Sequence, residues 1–464
     1  MTDLSDLFAA QAAQTANRRQ SFDRTARLAA LDRLRRSIIA RQPQIIAALD
    51  ADFGKPEVEV RLTEILPVLQ EISHTRRHLR RWMRPRRVAP TLLMAGSSAR
   101  IVPQARGTAL IIAPWNFPFQ LALGPLVSAL AAGCSVILKP SEMTPATTEI
   151  IARIVAECFA PDLVAVVTGG VEEATALLAL PFDHIFFTGS PAVGKIVMTA
   201  AAKTLASVTL ELGGKSPVVV GADADIARAA RWIAWGRFMN AGQTCVAPDH
   251  VFVHASVAPA LAAALCDRIA AMYGADPAAS PALARIVDVR NMERVTGLVE
   301  SATEAGAETV AGGAVQAGDR RIAPTVLTGT TADMAISREE IFGPVLPLIP
   351  FDDLGSVLDR INAAPHPLAL YVFGGADLAD RVTRATISGS VGINLTVLPF
   401  IHANLPFGGV GMSGMGAAHG FAGFAAFSHM RPVLRNRFLP MALLFPPYTG
   451  RVRRLARLVQ RLVQ

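Results

Sequence analysis

The sequence of 464 residues has few cysteines, little charge and hardly any lysine. Its four cysteines exclude a disulfide scaffold, and because none of them pairs in a C-x-x-C spacing, no metal site is expected. Charged residues make up 18% and hydrophobic residues 51% of the chain, which excludes disorder for most of its length. At about 150 residues per domain, the length predicts two or three domains.

Acidic residues are absent from the C-terminal part of the chain. The segment 381–464, which follows Asp380, carries ten arginines and no Asp or Glu. It contributes +10 to the net charge of +8, so the rest of the chain sums to −2. A uniformly basic nucleic-acid-binding surface would not show this distribution. Seven more arginines within residues 76–87 indicate a solvated helix face or a subunit contact, with phosphate binding as the alternative.

The sequence also lacks the pattern of a targeting segment or a membrane span. Asp3 and Asp6 lie where a signal peptide has basic residues. The uncharged run 108–138 is long enough to imitate a span, but its prolines and glycines would expose backbone groups that a bilayer cannot satisfy. We therefore expect a cytoplasmic protein in which this run forms buried strands and a helix.

Short apolar runs alternate with helical patterns from residue 99 onward, after helical spacing over 5–50 and 57–84. This alternation is typical of an α/β fold with a doubly wound parallel sheet. Strands buried on both faces are expected to be continuous apolar runs, as these are. The predicted strands are 108–113, 135–139, 163–168, 184–188 and 207–210, with helices at 119–132, 144–159, 171–179 and 191–203.

A second α/β unit is predicted after Gly213 and Gly214. Residues 397–420, rich in Gly and Pro, are predicted to be an ordered loop near a site. Strands at 99–106 and 427–435 would form a separate sheet with a long edge exposed in a monomer. The second unit comprises strands 216–220 and 249–254, helices 225–239 and 256–271, and a loop at 274–282.

Cys245 is the cysteine that differs most from its counterparts. Polar and flexible residues precede it, just past a predicted helix end. A thiolate there can be open to a substrate and use neighbouring backbone N–H groups. The alternative is a small buried side chain, which is the interpretation for Cys134, Cys158 and Cys266 in apolar strand or helix patterns.

Two further side chains near strand ends are candidates for chemistry. Glu211 lies in an apolar strand, where a carboxylate is costly unless partnered. It is either a strand-end group facing solvent or a general base whose pKa is raised by its surroundings. Asn116 follows the first strand of the parallel sheet and is either a turn residue or an amide donor to an oxyanion.

Three residues or turns suggest contacts to a nucleotide. Lys139 and Glu142 follow a strand and could bind the hydroxyls of a ribose. The segment from Gly189 to Gly194 opens a helix, whose N–H groups can hold a phosphate. Its glycines are not spaced as in G-x-G-x-x-G, so this signal is weak by itself.

Together these motifs resemble the aldehyde dehydrogenase superfamily, over about residues 20–450. The variants around Cys245 and at 405–416 are similar to the class 3 branch. The 76–87 stretch and residues 444–448 are most similar to coniferyl-aldehyde dehydrogenases. The motifs that occur in the family's order are Pro-Trp-Asn-Phe-Pro (114–118), Lys-Pro-Ser-Glu (139–142), Phe-Thr-Gly-Ser (187–190), Leu-Glu-Leu-Gly-Gly-Lys-Ser-Pro (210–217), Gly-Gln-Thr-Cys (242–245) and Glu-Ile-Phe-Gly-Pro (340–344).

The resemblance implies Cys245 as the nucleophile, Glu211 as the general base, and Asn116 with the Cys245 N–H as the oxyanion hole. It implies a Rossmann-type NAD-binding domain at 1–98 and 107–212, a catalytic domain at 213–424, oligomerisation strands at 99–106 and 425–440, and a tail at 441–464. The cofactor contacts that it implies are Trp115, Lys139, Glu142, Gly189, Ser190, Gly194, Leu212, Glu340 and Phe342.

The implied reaction oxidises an aldehyde to a carboxylic acid through a cysteine thiohemiacetal and thioester. NAD is favoured because Glu142 would repel the 2′-phosphate of NADP, although members of the branch often accept both. A hydrophobic aldehyde is expected, aromatic and coniferyl-like or of medium to long chain. A CoA-acylating enzyme and a non-catalytic binding protein are the alternatives, and Glu211 argues against the first.

The sequence departs from the branch toward the substrate side. Leu395 follows Asn394 where an Asp is usual, and Ala418 precedes His419 where a Tyr is usual. Phe421 and Ala422 replace charged or polar residues. These departures leave the chemistry intact and put the substrate in doubt.

A homodimer is expected by resemblance to the class 3 branch. The tail 451–463 places Val452, Leu455, Val459 and Leu462 on one helical face, with five arginines mostly opposite. We expect this helix to dock on the protein or its dimer partner, or to attach weakly to an anionic membrane surface.

Overall fold

The computed structural model describes residues 4–461, so Asp3 and Leu462 lie outside the described residues. Its N-terminal region is helical, as predicted. The helices are α1 (Leu4–Ala13), α2 (Thr15–Ser21), α3 (Arg24–Ala40), α4 (Gln42–Phe53), α5 (Glu57–Val60) and α6 (Leu66–Met83), with a π-helical turn between α5 and α6. In α3 the apolar residues recur at helical spacing, so Leu31, Leu34 and Ile38 are buried together.

The part of the basic stretch 76–87 that follows α6 is not helical. Pro85 disfavours helical backbone at the residue before it, and Arg84 is extended, with φ −71° and ψ 131°. The next residues form strand β1 (Arg86–Val88), which pairs antiparallel with β2 (Ser97–Ala105). The last arginines of the stretch therefore lie on a strand that the sequence pattern did not predict.

A six-stranded sheet follows, with helices between its strands. β3 (Thr108–Ile112), β4 (Ser135–Lys139), β5 (Val164–Val166), β6 (His184–Gly189) and β7 (Ser207–Leu212) run parallel. The connecting helices are α7 (Pro118–Ala132), α8 (Pro145–Cys158), α9 (Val171–Leu178) and α10 (Pro191–Thr204). The strand order β7-β6-β3-β4-β5 reverses between β3 and β6, the point where doubly wound sheets bind ligands. The predicted doubly wound sheet is confirmed.

A second sheet is built from the residues after β7. Its strands are β8 (Pro217–Val220), β9 (His250–His254), β10 (Glu308–Ala311), β13 (Thr325–Thr328), β14 (Val345–Phe351), β15 (Ala369–Phe373) and β16 (Ser390–Ile393), and β11 (Val315–Gln316) and β12 (Arg321–Ile322) form a small ribbon. The strand order is β10-β13-β14-β9-β8-β15-β16, and the sheet is parallel except at β10. The helices are α11 (Ile226–Phe238), α12 (Ala258–Tyr273), α13 (Val289–Glu304), α14 (Ala335–Arg338), α15 (Leu354–Ala363) and α16 (Ala376–Ala385).

Within residues 4–461, one helical region, 255–279, is long and apolar enough to cross a membrane by length and composition. The core helices of folded domains pass the same test, and Leu261, Leu265 and Ile269 of α12 are buried in the core of the second sheet. The uncharged run 108–138, in contrast, forms β3, α7 and β4, as expected from its prolines and glycines.

The C-terminal part of the chain adds one strand to the sheet of β1 and β2 and one strand to the six-stranded sheet. It contains β17 (Gly414–Met415), α17 (Gly420–Ala426), β18 (Ser428–Asn436) and α18 (Gly450–Arg461). β17 pairs antiparallel with β7, so the predicted loop 397–420 contains a strand, with Gly414 opposite Glu211. Gly414 has φ 151°, and a Cβ there would lie 2.4 Å from the Leu210 carbonyl oxygen, so glycine is required for this close pairing. β18 pairs with β2 along its whole length.

Candidate active site

Cys245 and Glu211 line one cavity, although they come from different parts of the fold. Glu211 lies on β7 of the first sheet, and Cys245 follows α11 of the second unit. The cavity measures about 530 Å³ including its open mouth, and most of its wall is apolar. We call it the active-site cavity; besides Cys245 and Glu211 it is lined mainly by Leu121, Pro125, Phe186, Leu368, Phe400, Phe407 and His419.

The loop before Cys245 has an unusual backbone. Asn240, Ala241 and Gly242 have φ values of 53°, 52° and 73°, a left-handed run that costs energy for the two residues with a Cβ. Gly242 packs so closely that a Cβ would lie 2.2 Å from the Gly343 carbonyl oxygen. This turn brings Cys245 from the helix end to the cavity.

Gln243 fixes this loop from inside the protein. Its Nε2 donates to the Asn240 and Arg285 carbonyl oxygens, both at 3.0 Å, and its Oε1 accepts from the Val287 N–H at 2.9 Å. All of the hydrogen-bonding groups of its amide end therefore have protein partners except one lone pair. The sequence motif contained Gln243, but no pattern in the sequence indicated this role.

Asn116 is bound to the same loop. Its Nδ2 donates to the Gln243 carbonyl oxygen at 3.0 Å, and its own carbonyl oxygen accepts from Asn240 Nδ2 at 2.8 Å. Because an amide nitrogen has two N–H groups, one donor of Asn116 has no described partner. The structure thus places a buried amide donor next to the cysteine loop.

Burial sets the protonation of the two candidate reacting groups. Burial, together with the nearby carboxyls of Glu340 and Glu211, raises the pKa of the Cys245 thiol to about 12. The Cys245 and Val246 N–H groups act in the opposite direction. Burial also raises the pKa of Glu211 well above its ordinary value, and both its carboxyl oxygens lack a hydrogen-bond partner among the described residues. The Cys245 thiol is therefore protonated at pH 7 in the free protein, and burial favours the neutral form of Glu211.

The start of α10 provides the features of a phosphate site. Ser190 caps the helix, and its hydroxyl accepts from the Val193 N–H at 3.4 Å. A Cβ at Gly194 would lie 2.8 Å from Leu212 on β7, so this glycine permits close packing of α10 on the sheet. A Cβ at Gly189, the last residue of β6, would lie 2.5 Å from the Phe187 ring of the same strand. Backbone N–H groups at such a helix start can hold a pyrophosphate.

Lys139 and Glu142 lie together at the end of β4. Their side chains form an ion pair with 3.2 Å between Lys139 Nζ and Glu142 Oε2. Lys139 is buried, whereas the Glu142 side chain is 47% exposed. The carboxylate can thus accept hydrogen bonds from a ligand, as a ribose would supply.

Glu340 lies across a cleft from the start of α10. The cleft contains Pro191, Gly213 and Gly214, and Glu340 Oε1 accepts from the Gly214 N–H at 3.0 Å. A side chain at Gly213 would meet the Glu340 carboxyl, with 2.4 Å from a Cβ to Oε2. Burial raises the pKa of Glu340 to about 7. Near this segment, Phe342 contacts the Trp115 ring edge to face, with 5.4 Å between the ring centroids.

Lys215 and Asp249 hold the Glu340 segment and the cysteine loop together, and neither was assigned a role from the sequence. Lys215 Nζ lies 2.5 Å from Asp249 Oδ1 and donates to the Ile336 and Glu339 carbonyl oxygens. Asp249 Oδ2 accepts from the Ile341 N–H at 3.0 Å. The Lys215 ammonium is the main group that holds the pKa of Asp249 below its usual range despite burial.

A carboxylate of the N-terminal helices also reaches the cysteine loop. Glu59 on α5 accepts from the Asn240 N–H at 3.0 Å. Burial raises the pKa of Glu59 to about 7. Near it, Glu64 forms a buried ion pair with Lys55, and its Oε2 accepts a hydrogen bond from the Gln120 N–H in the first turn of α7. Sequence reasoning missed these contacts because they join segments that are far apart along the chain.

The fold and this site define an oxidoreductase class with a nucleotide cleft beside a buried thiol and carboxyl. The family profile described as "Aldehyde dehydrogenase family" matches residues 5–433. The chain therefore belongs to the aldehyde dehydrogenase family, and its reaction is the NAD(P)-dependent oxidation of an aldehyde.

Three relatives show how similar the chain is to named proteins. It is 44% identical to "Aldehyde dehydrogenase family 3 member A2" of Macaca fascicularis, over 88% of this chain and 83% of the relative. It is 41% identical to "4,4'-diaponeurosporen-aldehyde dehydrogenase" of Staphylococcus aureus, over 94% and 95% of the two chains. It is also 41% identical to "Probable coniferyl aldehyde dehydrogenase" of Pseudomonas aeruginosa, over 93% and 91%. The predicted similarity to the class 3 branch is confirmed.

Solved structures agree with this assignment. The substrate-bound AldH of Staphylococcus aureus has a TM-score of 0.94 at 39% identity and covers 99% of this chain and 100% of its own. An aldehyde dehydrogenase of Mycobacterium tuberculosis complexed with NAD+ has a TM-score of 0.84 at 28% identity, over 94% and 91%. An NADP-dependent enzyme of E. coli has a TM-score of 0.86 at 27% identity, over 93% and 90%.

Proposed function

We propose that this enzyme oxidises a hydrophobic aldehyde to the carboxylic acid with Cys245 as nucleophile, Glu211 as general base and Asn116 as oxyanion donor. The observation that carries the proposal is that Cys245 and Glu211 line one apolar cavity while a free N–H of Asn116 lies beside the cysteine loop. An uncharged wall favours an apolar substrate because a polar one would lose its hydration there.

In the first step, the Cys245 thiol loses its proton to solvent through water, the thiolate sulfur attacks the aldehyde carbon, and the carbonyl oxygen becomes an oxyanion. Asn116 and a backbone N–H donate to this oxygen, and such a donor contributes roughly 3–4 kcal/mol when removed singly. NAD(P)+, when bound, would supply the acceptor for the hydride that leaves the former aldehyde carbon, so that a thioester remains on Cys245. Glu211 then takes a proton from a water, whose oxygen attacks the thioester carbon; the Cys245 thiolate leaves and the acid forms.

The cofactor would lie between the start of α10 and Glu340. Ser190 and the helix N–H groups would hold the pyrophosphate, Lys139 and Glu142 the adenine ribose, and Glu340 the nicotinamide ribose. The residues present fit such a group, because Pro191 at the start of α10 and Glu340 line one cleft and the Glu142 carboxylate is 47% exposed. We favour NAD because the exposed carboxylate of Glu142 would repel a 2′-phosphate. Relatives of both kinds exist, one complexed with NAD+ and one NADP-dependent.

For the substrate, we propose an aromatic, coniferyl-like aldehyde. Phe186, Phe400 and Phe407 on the cavity wall would pack against an aromatic ring. A long apolar aldehyde is the second candidate, supported by the relative named for 4,4'-diaponeurosporen-aldehyde. The chain would then act in the cytoplasm on a substrate that partitions between water and lipid.

A kinetic panel tests the function. Full-length protein is assayed with coniferyl, aliphatic and polar aldehydes, with NAD+ or NADP+, and with and without CoA. We expect NADH and a free acid with apolar aldehydes, and none from Cys245→Ala. Cys266→Ala, which changes a half-buried cysteine on α12 outside the cavity, is the matched control. NADH formation by Cys245→Ala, or an acyl-CoA product in place of the acid, would contradict the proposed chemistry.

We further propose a homodimer formed through β18. β2 occupies one edge of β18 along its whole length, and no described strand pairs with the other edge. A long unpaired edge invites pairing with another chain. Light scattering should give twice the mass of 49.1 kDa, and a mass near 49.1 kDa at working concentration would contradict the dimer.

The tail is proposed to contact membranes weakly. α18 has no buried residue and packs on the turn Pro440–Leu444, with Val452, Leu455 and Val459 half-buried on one side. Five arginines of α18 would meet anionic headgroups. Deletion of residues 450–464 should reduce co-sedimentation with anionic vesicles but not with neutral ones. Equal co-sedimentation before and after deletion would refute membrane contact.

A further inference from the structure

A second cavity adjoins the active-site cavity. It measures about 2550 Å³ including its open mouth and lies between α6, β1, β2 and α17. His419 lines both cavities, so its side chain forms part of the wall of each. We call the second cavity the arginine cleft, because its wall includes Arg81, Arg84, Arg86, Arg87 and Arg100.

The charge of the arginine cleft is not compensated by the protein. None of its five arginines forms an ion pair among the described residues, whereas Arg76, which lies on α6 like Arg81, pairs with Asp32 at 2.8 Å. No Asp or Glu occurs between Glu71 and Glu142 or after Asp380, and the wall is made of these stretches. An anion in the cleft would therefore meet unpaired cations and no carboxylate.

Aromatic side chains form the inner wall of the arginine cleft. The Trp82 ring lies 5.7 Å from the His74 ring and 5.9 Å from the His78 ring, between centroids. Phe421 lies 6.2 Å from Trp82 and is 53% exposed. An apolar wall near His419 and cations elsewhere on the wall match a ligand with an apolar body and an anionic end.

We propose that the arginine cleft binds the anionic end of an aldehyde substrate whose reacting end lies at Cys245. The favoured substrate class is an aldehyde with an apolar chain or ring and a distal carboxylate. This inference rests on the proposed function, since it assumes that the aldehyde reacts in the active-site cavity. The tail α18 is a poor occupant of the cleft, because its described residues carry five arginines and no acid.

The test compares matched pairs of aldehydes. Unbranched aldehydes with a terminal carboxylate are compared with their methyl esters over a series of chain lengths, with full-length enzyme and saturating NAD+. The wild type should prefer the acid over the ester once the chain is long enough to reach the cleft. The triple variant Arg84→Gln, Arg86→Gln, Arg87→Gln should lower the acid-to-ester ratio of kcat/KM about tenfold, since one exposed ion pair contributes up to about fivefold.

Arg290→Gln is the matched control. Arg290 is exposed, lines none of the cavities described above and has no described ion pair, so the ratio should not change. An acid-to-ester ratio of kcat/KM near one in the wild type overturns the cleft proposal, and so does a ratio that the triple variant leaves unchanged. In either case, oxidation of the esters still supports the proposed function. Failure of all acids and esters to react contradicts the proposed function instead. If the triple variant no longer binds anionic vesicles but keeps the wild-type acid-to-ester ratio, the arginines contact a lipid surface and the substrate role is overturned.

Discussion

Replacing Glu211 by glutamine should separate the two halves of the reaction. The side chain is 5% exposed and its two carboxyl oxygens have no described partner, so the amide keeps the shape without breaking a hydrogen bond. It cannot accept a proton from water. Acylation and hydride transfer use Cys245, whereas hydrolysis of the thioester needs the base. We therefore expect Glu211→Gln to form the thioester and then stop.

The size of the effect follows from the role of the base. A general base typically contributes about 10²–10⁴-fold, which corresponds to about 3–5 kcal/mol in the barrier. The steady-state rate should fall by this factor, while a rapid-mixing experiment should show a burst of up to one NADH per active site. Glu211 can also help to deprotonate Cys245, which would slow the burst. Rate-limiting cofactor release in the wild type would make the loss smaller.

Mass spectrometry of the stalled enzyme identifies the acylated residue. The acyl group should be on Cys245, and added hydroxylamine should release it and restart NADH formation. Glu211→Asp, which keeps a carboxylate, is the control and should retain part of the turnover. An acyl group on Cys134, Cys158 or Cys266, or full turnover of Glu211→Gln, would refute the assignment.

Three further predictions concern protonation and the support of the site. Burial raises the pKa of Glu211, and only the deprotonated carboxylate accepts a proton. Turnover of the wild type should therefore rise with pH through that raised pKa, and Glu211→Gln should lose the rise. A flat wild-type profile would contradict the role of Glu211 as the base. Lys215→Met leaves the buried Asp249 carboxylate without its ammonium partner, so the free energy of unfolding in denaturant should fall by about 3–5 kcal/mol. An unchanged midpoint would show that the ion pair does not stabilise the fold. Glu59→Ala removes the acceptor of the Asn240 N–H and should lower kcat, whereas Glu57→Ala, an exposed change on the same helix, should not; equal kcat values would exclude a positioning role for Glu59.

The sequence was informative where a pattern is local. Alternating apolar runs predicted the bounds of β3, β4, β6 and β7 closely, because buried parallel strands are short and continuous. The motif around Cys245 also identified a residue that lies in the cavity. The turn at Asn240 and Ala241 was not predicted, since left-handed backbone at residues with a Cβ has no reliable signal in composition.

Contacts between distant segments could not be predicted. Strand β17 contains only Gly414 and Met415, so it has no periodicity, and its partner β7 ends at Leu212, in a distant part of the chain. Lys215 and Asp249 were visible only as members of motifs, since an ion pair depends on where two units meet. The arginine cleft likewise forms only when α6 and α17 pack side by side.

Because β17 and β18 pair with the much earlier strands β7 and β2, these two sheets stay incomplete while the chain is being synthesised. β7 is complete at Leu212, but the strand opposite Glu211 begins only at Gly414. Likewise β2 is complete at Ala105, but its partner β18 begins only at Ser428. The edges of β7 and β2 that pair with these strands therefore stay unpaired in a nascent chain until nearly all of it has been translated. Chaperones that mask strand edges should bind arrested chains that end before Gly414 and release chains that extend past Asn436.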